Sequence, residues 1–213
     1  MLDVTLVAAT QFHGPAADTV ATDAEAAVEY AARLHGSSLP PAALLRQLID
    51  DSDAAALEHA TATMHLSGIS RDAAYVVAAH TGFAVTSRDK DATLIPAAIA
   101  EDEELSRIFT SAVEEAAFVR DELVHALEEA MADEPNALAR RKAARQAADA
   151  VLPAARETEL VVTGNYRAWR EFIAAHTGEF EHPEINALAR ACLQVLKVQA
   201  PLLVEDLGDG ARR

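Results

Sequence analysis

The chain has 213 residues, with 34 acidic side chains against 18 basic ones and a formal net charge of −16. Nucleic acids and anionic membranes are polyanions, so this balance argues against a general binder of either. A single cysteine, Cys192, excludes an internal disulfide and a cysteine-based zinc cluster, and 51% hydrophobic residues with only 5% aromatics favour Ala-rich helices over an all-β core.

The opening MLDVTLVAAT has an acid at Asp3 and no basic n-region, so no secretory signal is read and the expected location is the cytoplasm. No apolar run reaches the roughly 18 residues that a spanning helix needs. Leu2–Ala8 alternates as a half-buried strand, with Leu2, Val4 and Leu6 on one side. Gln11–Thr19, with Gly14 and Pro15, reads as a loop. Thr22-Asp23-Ala24-Glu25 fits a capping box and predicts a helix over Asp23–Leu34. Pro40-Pro41 opens a second helix that buries Leu44, Leu45 and Leu48.

Ala60–Ser67 alternates Ala62, Met64 and Leu66 with Thr61, Thr63 and His65, as a strand does. Ser70 can cap a short helix through Ala79, with Gly82 as its stop, and Ala92–Ile95 is a short extended piece. Glu101–Met131 is the longest helical pattern, with a stripe of Leu105, Ile108, Phe109, Val113, Ala117, Leu123 and Leu127 opposite acids. Ala137–Ala150 is helical again, Thr158–Thr163 reads as a strand, and helices follow to Ala175 and over Ile185–Val198. The tail from Asp206 is expected to fray. No repeat, linker or domain boundary is visible, so the expectation is one α+β domain over 1–206 with a tail over 207–213. No His/Cys/Asp grouping has metal-ligand spacing, and no Gly-rich phosphate loop is present.

Seven of the 18 cations fall within 140–170, against three acids. Such a segment suits a small anion such as a nucleotide phosphate, or it pairs with acidic helices of the same chain or a neighbouring subunit. Within it, Val162-Thr163-Gly164-Asn165-Tyr166-Arg167 takes a strand into a helix start, where backbone amides favour an anion. Asn165 offers donors and an acceptor and Arg167 a planar fork. The competing reading makes Asn165 a helix cap and Trp169 a core residue.

The runs NALARRKAARQAADAVL at 136–152 and ETELVVTGNYRAWREFI at 157–173, with Leu57-Glu58-His59-Ala60 and Gly68-Ile69-Ser70-Arg71, closely resemble the flavin-dependent thymidylate synthases in their actinobacterial form. The likeness is collinear from about residue 40 to 206. It implies a mixed α/β subunit with a mixed sheet and long helices, a homotetramer with active sites between subunits, and FAD as cofactor. It also implies a uracil nucleotide, dUMP, as substrate, with methylenetetrahydrofolate and NADPH as co-substrates for dTMP formation. Asn165, Tyr166 and Arg167 match the family's FAD-contacting Asn-x-Arg.

Other positions depart from the pattern. The family's Arg-His-Arg, seven residues, then Ser falls on Ala79-His80-Thr81 and Asp89, so only His80 survives. Thr86-Ser87-Arg88 reads as a shortened remnant of Ser-x-Arg. The arginine before Ala-Val-Leu-Pro is Asp149, the uracil-aligning arginine is His176, and the His-x-Ser/Thr pair before Leu-Glu-His is Asp53 and Ala55. The resemblance therefore leaves His176 and His80 as catalytic candidates, His80 also as a flavin contact. Each loss removes a cation or donor that faces nucleotide or flavin, which predicts impaired dUMP methylation. The alternative is a catalytically inactive paralogue that serves as an assembly or regulatory subunit, alone or with an active homologue.

Overall fold

The computed structural model describes residues 1–15, 22–50 and 55–208. Its strands are β1 (Asp3–Ala9), β2 (Thr61–Ser70), β3 (Phe83–Thr93) and β4 (Arg156–Asn165). The helices are α1 (Asp23–Arg33), α2 (Pro41–Asp50), α3 (Arg71–Ala79), α4 (Ala97–Ala100), α5 (Glu103–Ala130), α6 (Ala137–Ala148), α7 (Tyr166–His176) and α8 (Pro183–Gln199). This is the α+β class that the sequence predicts. Of the loop expected over Gln11–Thr19, positions 16–19 lie outside the described residues, as do Asp53 and the chain end from 209.

The four strands form one sheet in the order β1-β2-β4-β3. β1 and β2 are antiparallel, with Val4 opposite Leu66 and Leu6 opposite Met64, and the register slips at Val7 before Ala8 meets Thr63. β2 and β4 are also antiparallel: Tyr166 donates its N–H to Ala60 O at 3.0 Å, and the Thr63 and Thr163 hydroxyls meet at 2.9 Å. Arg88 faces Glu159 at 3.7 Å and Lys90 faces Glu157 at 2.9 Å, so β3 and β4 run opposite ways too. The sheet is thus antiparallel throughout, not mixed. β2, α3 and β3 form a crossover whose two strands point the same way, but β4 enters between them, so the parallel pair never hydrogen-bonds.

Two further expectations change. Of the short piece at Ala92–Ile95, Ala92 and Thr93 are the end of an 11-residue strand, hidden in the sequence by the charged run Arg88-Asp89-Lys90-Asp91, and Leu94 and Ile95 lie beyond it. The tail does not fray at Asp206: Arg170 holds that carboxylate with two bonds of 2.6 and 2.7 Å, and Leu207 packs on the core.

The contacts divide the chain into two compact units, each discontinuous in sequence. The first holds Met1–Ile69, Ala73–Arg88 and Thr158–Arg213; the second holds Ser70–Asp72 and Asp89–Glu157. A boundary that falls inside strands and a helix leaves no linker for the sequence to show.

In the first unit one sheet face is buried through Ala62, Met64, Leu66, Leu160 and Val162. α7 lays Trp169, Phe172 and Ile173 into the same core, and α8 adds Leu188, Cys192, Leu193 and Leu196. Trp169 is fully buried and donates its indole N–H to Ala62 O at 3.1 Å, which fixes α7 to the start of β2. The predicted cap of α1 is present, with Thr22 accepting from Glu25 N at 3.3 Å. In the second unit α5 packs against α4 and α6, yet none of its 28 residues is buried. The stripe read from the sequence is only partly covered, with Leu105 and Ile108 exposed, and Phe118 outside the stripe is exposed too.

Candidate functional site

β4 stops where Asn165 keeps extended backbone angles while its side chain turns inward as the cap of α7. Its Oδ1 accepts the Ala168 N–H at 2.8 Å, so the capping reading of this residue holds. The helix that starts there sends its first two residues opposite ways. Tyr166 is fully buried, its hydroxyl has no hydrogen-bond partner, and burial, then the nearby Glu25 carboxylate, push its pKa well up. Arg167 points out and is clasped by two acids, Nε on Glu171 at 2.9 Å and Nη1 on Glu58 at 2.7 Å. Those bonds, Glu171's first, raise its pKa further.

The two candidate histidines meet on one ring. His80 follows α3, and its Nε2 lies 3.0 Å from Ala168 O. Its imidazole sits 4.7 Å from Phe83 and 5.6 Å from Phe172. His176 closes α7, with its ring 4.8 Å from Phe172. Its Nδ1 is 2.7 Å from Glu181 Oε2, and this bond holds Glu181 below the usual carboxylate range, helped by the His182 N–H. A carboxylate on Nδ1 fixes the proton there in the neutral ring, which leaves Nε2 as the acceptor. His59, His13, His35, His125 and His182 are all exposed.

The signature positions have plain surroundings. Ala79 ends α3, Thr81 sits in a turn with Gly82 at φ +90°, and Asp89 lies within β3. In the second unit, Asp149 accepts from Arg120 Nε at 2.9 Å, and Asp121 takes Nη1 of the same guanidinium at 2.9 Å. These acids, Asp121 first, raise the Arg120 pKa. The cationic segment is spent the same way: Arg156 pairs with Asp91, Arg167 with Glu58 and Glu171, and Arg170 with Asp206. For these three the pairing reading holds. Among the described residues no group of three or more His, Cys, Asp or Glu side chains is arranged to hold a metal ion.

Sequence reasoning missed the partners rather than the candidates. Glu171 stands four residues after Arg167 on a helix, a readable signal. Glu58, Arg120 and Glu181 carry no local signal, since fold geometry alone brings them in.

An antiparallel sheet with a crossover split by a returning strand, leading into a strand-to-helix Gly-Asn-Tyr-Arg corner, defines an α+β protein. The chain matches the family model described as thymidylate synthase complementing protein over residues 16–202. Relatives named flavin-dependent thymidylate synthase include those of Corynebacterium aurimucosum, 42% identical over 96% of this chain and 90% of the relative, and Corynebacterium efficiens, 42% identical over 99% and 94%. That of Mycobacterium tuberculosis is 39% identical over 96% and 89%. The chain belongs to the thymidylate synthase complementing protein family. Among the described residues, no helix is long and apolar enough to cross a membrane.

Proposed function

We propose that the chain is a cytoplasmic flavin-dependent thymidylate synthase-type protein of dTMP biosynthesis that has kept one end of its FAD site and turns over dUMP only weakly. The family match supports the class of reaction. The observation that carries the reduced turnover is the Arg120–Asp149 pair. Where the resemblance places a cation for the nucleotide, this chain has a carboxylate, and the nearest guanidinium is occupied in neutralising it.

FAD fits the residues present at one point. Arg167 is half exposed at a helix start, and its pairs with Glu58 and Glu171 are exposed, solvent-screened and weak. A flavin phosphate can displace them cheaply. Arg167 and Asn165 would hold that end, with Tyr166 beneath them as support. Bound FAD would supply hydride chemistry, with NADPH and methylenetetrahydrofolate as co-substrates. His176 would orient a uracil ring through Nε2, a role supported by the contacts of its own ring with Glu181 and Phe172. With Glu181 on Nδ1, Nε2 can accept a ring N–H but offers a uracil carbonyl no donor, as a guanidinium would, which lowers turnover again. His80 has Nε2 committed to Ala168 O and acts by holding α7 rather than by proton transfer.

A second reading, a subunit without its own chemistry that assembles into a homotetramer or with an active homologue, is favoured by the uncovered apolar residues of α5. Two measurements separate the readings: flavin absorbance of the purified protein with FAD-dependent thermal stabilisation, and tritium release from dUMP labelled at C5. Flavin binding with slow release is expected. A colourless protein that FAD does not stabilise leaves only the second reading, and rescue of a thymidine-requiring strain at the full rate overturns both.

A further inference from the structure

The second unit carries a half-open cavity of about 220 Å³ whose residues are not those of the flavin corner. Val113 and Ala117 of α5 and Leu152-Pro153 form its apolar wall, and two guanidiniums, Arg120 and Arg156, line it as well. Both arginines are half-buried, at 28% and 16% side-chain exposure. Each is anchored from its Nε: Arg120 on Asp149 at 2.9 Å, and Arg156 on the Lys90 carbonyl at 2.8 Å. These anchors fix the planes of the forks.

The remaining contacts are of another kind. Asp121 on Arg120 Nη1 and Asp91 on Arg156 Nη2 are both at the cavity rim, with side-chain exposures of 68% and 102%. Carboxylates so exposed are solvent-screened and held weakly. They show that each fork donates to a carboxylate oxygen at 2.9 to 3.0 Å, and they can swing away into water. The cavity is below the usual size of a drug-sized ligand site, so a whole flavin or nucleotide does not fit in it.

We infer that this cavity binds a small organic carboxylate, which displaces Asp121 and Asp91 from Arg120 and Arg156 and lays its carbon chain against Val113, Ala117 and Leu152. The two rim aspartates are competitors for the site, so removing them has an effect opposite in sign to removing an arginine. Arg120 is also the partner of Asp149, where the resemblance expects a nucleotide contact, but the test below needs neither flavin nor nucleotide present.

Titration calorimetry on the full chain with glutarate as probe tests it, beside neutral glutaramide and inorganic phosphate. Saturable glutarate binding is expected, with none for glutaramide. Arg156→Gln should weaken it about tenfold, the loss of one charge-assisted contact. Asp91→Asn and Asp121→Asn should each tighten it, and these exposed substitutions leave the fold intact. Absence of saturable glutarate binding overturns the inference. So does phosphate binding without glutarate binding, or weaker glutarate binding in either aspartate variant.

Discussion

Asn165 shows how one side chain carries both the fold and the candidate site. Its oxygen caps α7 while its position presents Arg167 to solvent. Asn165→Ala should cost about 1 kcal/mol in urea denaturation, the usual worth of a helix cap, whereas Asn165→Asp should keep most of it. Gly68 is a second decisive residue. Its backbone has φ +67°, and a Cβ there would fall 2.1 Å from the Met1 carbonyl oxygen. Gly68→Ala should therefore lose at least about 1 kcal/mol, visible as a lower Tm. Burial pushes the Asp206 carboxyl up, but the bonds from Arg170 outweigh it and hold it below the usual carboxylate range. A carboxylate depressed in the folded state stabilises above its unfolded value of about 3.9, and that stability is lost as pH falls through the lower folded value. Glu181 beside His176 acts in the same direction. Thermal melts should fall across that acid window, and Asp206→Asn should flatten the fall. These candidates were legible in the sequence because Gly-Asn-Tyr-Arg is a distinctive corner. Their partners were not, since Glu58 and Arg167 stand 109 residues apart.

At the scale of elements, the strands with alternating apolar residues were readable. Ala62, Met64 and Leu66 are buried as their spacing requires. β3 escaped because its second half is charged, and it lies at the sheet edge beside β4 alone. Charged edge strands resist pairing with other chains, so the residues that hid β3 also suit its position. Helix periodicity located α5 but gave it a buried stripe that the described residues only partly cover. If that stripe is an assembly surface, Ile108→Ser, at an exposed position of it, should shift sedimentation towards smaller species while leaving the far-UV spectrum unchanged. Charge at the α5–Asp149 contact is equally testable. Asp149→Arg sets two guanidiniums together and should cost about 1 kcal/mol, a loss that Arg120→Asp in the same chain should recover.

The whole molecule contains two compact units, and β3 and β4 contribute residues to both. Composition alone reports the globular class and the acidity, while the strand order depends on pairings that no local pattern encodes. That order has a consequence during synthesis. β2 leaves the ribosome with β1 on one side, but its other neighbour, β4, ends only at Asn165. Until about three quarters of the chain has emerged, the open flank of β2 has no hydrogen-bonding mate and β3 has nothing to dock on. Translation speed and early chaperone capture across that interval therefore govern how much of the nascent polypeptide reaches its native form.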